Sequence, residues 1–209
     1  MIIEQKIREL AAIYATDLKQ KMDSRIEEMQ EDDSSHFLIY RVLGVSIEEG
    51  LLIDTYQNKG RFLYNAAGRF LEEATKLCFL ATYPESGSVK IPNTRGLRPK
   101  TFEIDCLVGF DAIEIKWRDA TTDGDHITKE HTRISTIADA GFTPIRIMFF
   151  YPNRVQAIRI QQTLATLYSG VGGFYYFGDS AWEYVNDRTN VPLRAILEKL
   201  ADENIARLS

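Results

Sequence analysis

Apolar residues recur at three- and four-residue steps from Ile3 through Ile7, Leu10, Tyr14, Leu18, Met22, Ile26 and Met29. That spacing predicts a helix over residues 3–30. The register slips near Asp17, so a helix packed on its own domain is expected rather than a long coiled coil, with a dimer contact as the alternative. Glu31-Asp32-Asp33-Ser34-Ser35 ends this helix and can cap a short second one. Ser46 with Glu49 forms a capping box that opens a helix to about Tyr56. Gly60 marks a break. Residues 61–80 then form the clearest amphipathic helix, with Leu63, Ala66, Ala67, Phe70, Leu71, Ala74, Leu77 and Cys78 on one face.

After Pro84 the pattern changes. Residues 86–100 hold two Pro and two Gly and read as irregular. Alternation over Thr101–Val108 and about Ile113–Arg118 predicts two strands, joined as a hairpin through Gly109-Phe110-Asp111-Ala112. A polar stretch, Asp119 to Asp125, leads to a helix from about His126 to Ala140. Thr143–Tyr151 is nearly all apolar and reads as a buried strand stopped by Pro152. Asn153 can cap a helix to about Tyr168. A short aromatic strand, Phe174–Phe177, and two terminal helices complete the chain. The order predicts an α/β (α+β) fold: a mixed central sheet flanked by helices. No internal repeat is visible.

The 209 residues fit one domain, expected over 1–209. The net charge of −5 excludes a strongly basic coat protein but not an enzyme with a local basic surface. Residues 1–33 hold nine acids and five bases, so most of the acidity lies there. Residues 86–100 carry Lys90, Arg95, Arg98 and Lys100 with no acid, a locally cationic segment. Cys78 and Cys106 sit in apolar runs and read as buried thiols in a reducing compartment. No signal peptide or membrane span is read, so no membrane partner is expected.

The candidate chemistry lies on the hairpin. Asp105 stands on its first strand, and Glu114 and Lys116 share a face of the second, a D-x8-E-x-K pattern. For Asp105 to face them, paired residue numbers must have an odd sum. A four-residue connection pairs Asp105 with Lys116 and Leu107 with Glu114. Two adjacent carboxylates call for a cation, and their oxygens select a hard divalent ion such as Mg²⁺. A Lys beside them can orient water or neutralise charge on a phosphoryl group. A surface salt-bridged hairpin is the plain alternative.

These residues resemble the PD-(D/E)xK nuclease superfamily, with Ile104 where the motif's Pro would stand. The resemblance spans roughly residues 60–160. It implies a restriction-endonuclease-like catalytic core there, with helical additions over 1–58 and 161–209. Asp105 and Glu114 would bind metal, Mg²⁺ with Mn²⁺ as a substitute, and Lys116 would act on the water. The helix before the hairpin would supply a further acid, Glu73 in preference to Glu72. The run from Ala112 to His131 resembles the ApaLI-like restriction enzymes. That implies cleavage of double-stranded DNA at a palindromic site to give 5′-phosphate ends, a homodimer, and a prokaryotic cytoplasmic setting. A structure-specific repair nuclease or resolvase of the same fold, and a non-catalytic DNA-binding domain, are the rival readings. Lys90, Arg95, Arg98, Lys100, Arg118, His126, Lys129 and Arg133 are the candidate DNA contacts, and a solvated helix or loop face is the alternative for each. Arg146 carries the same ambiguity. His126 and His131 lie five apart and do not form a zinc pair.

Overall fold

The computed structural model describes residues 2–96, 98–118 and 124–208. It contains two compact units, Arg8–Phe70 and Met1–Ile7 with Leu71–Ser209.

The first unit is helical. It takes most of α1 (Ile2–Glu31), all of α2 (Phe37–Val42) and the first two thirds of α3 (Ile47–Thr82). Tyr14 of α1 packs edge-on against Phe70 of α3, 5.8 Å between ring centres. His36, just before α2, hydrogen-bonds Asp54 of α3 at 3.1 Å, and Tyr40 donates to the same carboxylate at 3.0 Å. Half of the expected capping box is present: the Glu49 N–H donates to Ser46 Oγ at 3.1 Å. The break expected at Gly60 does not occur, because α3 runs through it. A glycine inside a helix costs about 1 kcal/mol relative to alanine, too little to interrupt a helix of 36 residues.

The second unit is built on a five-stranded sheet in the order β1-β2-β3-β4-β5. β1 is Gly87–Pro92, β2 Thr101–Val108, β3 Asp111–Arg118, β4 Thr143–Phe150 and β5 Phe174–Phe177. β1, β2 and β3 are antiparallel neighbours, while β3, β4 and β5 run parallel. The mixed sheet flanked by helices is therefore present. β1 is a correction, since residues 86–100 read as irregular. Their Pro and Gly content hid an edge strand with Pro92 at its last position, where proline is tolerated. Only Ile91 of β1 is buried, so its alternation is weak.

The hairpin turn is shorter than expected. Gly109 and Phe110 alone join β2 to β3, and Val108 pairs with Asp111. Gly109 has φ +58°, the value required at the first central position of a type II′ hairpin turn. Leu107 thus pairs with Ala112 and not with Glu114. The odd parity survives, which keeps Asp105 and Glu114 on one face.

β4 is buried over six consecutive residues because it lies between two parallel neighbours. On one face, Phe149 meets Trp182 of α6 (Asp179–Thr189) and Tyr176 stacks on Tyr184. Phe79 of α3 joins the same layer through Tyr184. On the other face lie α4 (Gly124–Asp139) and α5 (Val155–Gly170). Tyr168 of α5 is fully buried there against Tyr175. The N-cap of α5 is Arg154 rather than Asn153, with no side-chain cap hydrogen bond. The last helix, α7, spans Leu193–Leu208, and Lys199 on it bonds Glu4 of α1 at 2.7 Å.

Gly173 joins α5 to β5. A Cβ there would press into the Pro144 carbonyl oxygen and lie 3.1 Å from that of Tyr168. Both atoms are backbone and cannot swing aside. Gly173→Ala should destabilise the protein by about 1–3 kcal/mol, read as a lower urea midpoint at unchanged slope.

Candidate active site

Asp105, Glu114 and Lys116 line one open cleft of about 500 Å³ in the sheet-containing unit. The β2–β3 ladder ends at Cys106 and Ile113. Beyond it the Ile115 N–H donates to Asp105 Oδ2 at 2.8 Å. A carboxylate thus takes the donor that a continuing ladder would have paired with a carbonyl. This fixes Asp105 beside the second strand, between Glu114 and Lys116. The expected pairing of Asp105 with Lys116 is replaced by this side-chain contact, and the convergence is retained.

Glu114 is nearly buried, with 4% of its side chain exposed. It forms ion pairs with Lys116 and with Arg133 of α4. A buried carboxylate stays charged only when paired in this way. Lys116 is 35% exposed, so its ammonium reaches the open part of the cleft. The alternating period of β3 accounts for the arrangement: Ile113 and Ile115 fill the core while Glu114 and Lys116 take the opposite face.

The remaining walls come from three elements. Glu72 of α3 lines the cleft and is held by Lys76 at 2.5 Å. Glu73, favoured from helical angle, is not among the lining residues. Glu103 of β2 and Lys129 and Glu130 of α4 complete the polar lining, with Thr101, Phe102 and Pro99 beside them.

The cationic candidates separate. Arg133 is only 12% exposed and donates to the Glu103 carbonyl oxygen at 2.6 Å as well as pairing with Glu114. Burial pushes its guanidinium below its ordinary value, opposed by nearby Tyr168, Asp105 and Glu103. It is part of the cleft wall. Arg95 is paired with Asp139 through two bonds of 2.5 and 2.8 Å. Lys90 lies 3.8 Å from Glu103 and is 69% exposed. Arg98, Lys100, Arg118 and Lys129 are exposed. His126 falls in the first turn of α4, and its side chain lies outside the described residues, as do residues 119–123.

Two further residues stand out: Glu130, which the sequence did not single out, and Arg146, whose complete burial removes it from the candidate DNA contacts. Glu114 pairs in register with Arg146 of β4, and Arg146 with Tyr175 of β5. These partners share a sheet face. Arg146 is fully buried, and its Nη1 lies 3.1 Å from Glu130 Oε2. A single cation inside an apolar strand signals a buried acid partner, which Glu130 supplies. The signal was present at Arg146, but nothing local identified the partner.

The donor set suits a hard divalent cation. Five lining carboxylates (Glu72, Glu103, Asp105, Glu114, Glu130) face three lining cations (Lys116, Lys129, Arg133), a formal charge of −2. All the donors are oxygens. Among the described residues no group of three or more His, Cys, Asp or Glu is placed to hold a metal ion.

Cys78 and Cys106 are free and buried, as expected, and burial raises the thiol of Cys106 to about 11. Among the described residues no helix is long and apolar enough to cross a membrane. Comparison with curated proteins and with solved structures finds no match. The family model for ApaLI-like restriction endonucleases, in contrast, matches residues 1–202 of the 209. This match covers both the helical unit and the sheet with its cleft, and the chain belongs to the ApaLI-like restriction endonuclease family.

Proposed function

We propose that this chain is a Mg²⁺-dependent type II restriction endonuclease that hydrolyses double-stranded DNA at a specific palindromic sequence, leaving 5′-phosphate ends. Family membership supports the coarser part, a nuclease of a restriction system acting on DNA. The observation that carries the rest is the convergence of Asp105, Glu114 and Lys116 in one acidic cleft.

In this reading Asp105 and Glu114 hold the cation, with Mn²⁺ able to replace Mg²⁺. When bound, it supplies positive charge to a phosphoryl oxygen and makes water a stronger acid. The chain's own residues do the rest. The Ile115 N–H keeps Asp105 in place. Lys116 orients the attacking water and offsets charge on the phosphoryl group as it becomes pentavalent. Lys90, Arg98, Lys100, Arg118 and Lys129 contact phosphates, which set position rather than sequence. Arg95 would join them only by leaving Asp139, and Arg133 acts inside the site. Cutting both strands of a palindrome requires two such sites related by a two-fold axis, hence a homodimer.

Glu72 is the additional acid in this account. Glu72→Gln should lower the cleavage rate about 10–100-fold, while Glu73→Gln stays near wild type. Equal loss in both variants would contradict the choice.

Digestion of plasmids of known sequence with Mg²⁺, followed by sequencing of the ends, tests the function. Discrete fragments with one shared sequence at every end are expected. Smears would point to a structure-specific nuclease of this fold. No cleavage with Mg²⁺ or Mn²⁺ would point to a non-catalytic DNA-binding protein.

A further inference from the structure

Four charges alternate in sign from the cleft into the protein. Glu114 pairs with Arg133, Arg133 Nη1 lies 3.5 Å from Glu130 Oε1, and Glu130 Oε2 lies 3.1 Å from Arg146. Side-chain exposure is 4% at Glu114, 12% at Arg133, 8% at Glu130 and 0% at Arg146, so all four charges are largely shielded from water. The chain joins three elements: β3, α4 and β4. Its inner end is braced by α5 and β5, where Arg146 lies 5.8 Å from the Tyr175 ring and Tyr175 donates to Gln161 at 2.6 Å.

We propose that Glu130 and Arg146 are positioning residues of the nuclease site, acting through Arg133 to set how firmly Glu114 is engaged. This rests on the nuclease reading of the cleft. Arg133 is shared between two carboxylates, Glu114 at the site and Glu130 behind it. Arg133 already sits on Glu114 Oε2 and Lys116 on Oε1, so a divalent cation reaches Glu114 only by displacing one of them. Glu130, 3.5 Å from Arg133, gives the displaced guanidinium a second carboxylate, and Arg146 keeps Glu130 charged and in place. Neither Glu130 nor Arg146 touches the reacting atoms in this account.

The test is a Mn²⁺ titration followed by electron paramagnetic resonance, together with steady-state cleavage. Glu130→Gln is expected to weaken Mn²⁺ binding and lower kcat, each about 10-fold, with KM for DNA within two-fold of wild type. Glu130→Asp should recover most of both. In a double-mutant cycle, Glu130→Gln should have no further effect on Mn²⁺ affinity once Arg133 is Met, because its influence passes through Arg133. Where Glu130→Gln folds poorly, Glu130→Gln with Arg146→Met removes both buried charges and should give the same loss. Additive effects in the cycle, or unchanged Mn²⁺ affinity in a folded Glu130 variant, would overturn the inference. Asp105→Asn separates the two levels. If it abolishes the Mn²⁺ signal while Glu130→Gln does not weaken it, only the inference fails. If it leaves the Mn²⁺ signal intact, the reading of the cleft fails and the inference with it.

Discussion

Lys116→Ala is expected to lower the cleavage rate by about 10²–10⁴-fold, the range for loss of a positioned proton-transfer or charge-stabilising group. The geometry of the side chain motivates this expectation. Lys116 is on the same strand face as Glu114, paired with it, and one-third exposed toward the open cleft. The fold should tolerate the change, because Glu114 keeps its second partner, Arg133. DNA affinity should fall little, and the dependence of log K on log salt should weaken by about 1 if Lys116 also meets a phosphate. Gel shifts without divalent cation, beside single-turnover cleavage with Mg²⁺, separate the two effects. A variant that binds and cleaves like wild type would remove Lys116 from the chemistry.

The second large effect concerns stability. Arg146→Met should destabilise the protein by about 3–5 kcal/mol, because removing one partner leaves a buried charge uncompensated. The stranded group is Glu130, with 8% of its side chain exposed. Arg133, 3.5 Å away, offsets part of the penalty and places the effect toward the lower figure. Adding Glu130→Gln to Arg146→Met should restore most of the loss, since replacing both members of a buried pair is often close to neutral. Urea unfolding of the two single variants and the double variant reads this directly. Equal stability of Arg146→Met and the double variant would show that the pair is not coupled in this way.

Much of the candidate site was legible because it lies on a short hairpin whose period is two. Spacing alone placed Glu114 and Lys116 on one face, and odd parity brought Asp105 to them under either turn length. What failed was the exact register, which depends on whether Gly109-Phe110 or a longer segment closes the turn. Local sequence separates those cases poorly. Helix 61–80 was legible as an amphipathic stripe, yet the choice between Glu72 and Glu73 depended on how the stripe is rotated against the sheet. Strand β1 was hidden because an edge strand buries only Ile91. The network of Glu130, Arg133 and Arg146 was least legible. Its members lie 3 and 13 residues apart along the chain and meet only when α4 packs over β4. Arg133 looked like a solvated helical cation for the same reason, although it is held by Glu103 of β2 and Glu114 of β3 as well as by Glu130 of its own helix.

The central claim is that the Asp105–Glu114–Lys116 cleft breaks phosphodiester bonds. The most direct measurement compares wild type with Asp105→Ala on one plasmid, with Mg²⁺ and at protein concentrations where both bind DNA equally. Discrete fragments from wild type and intact plasmid from Asp105→Ala are predicted. Discrete fragments from both would contradict it.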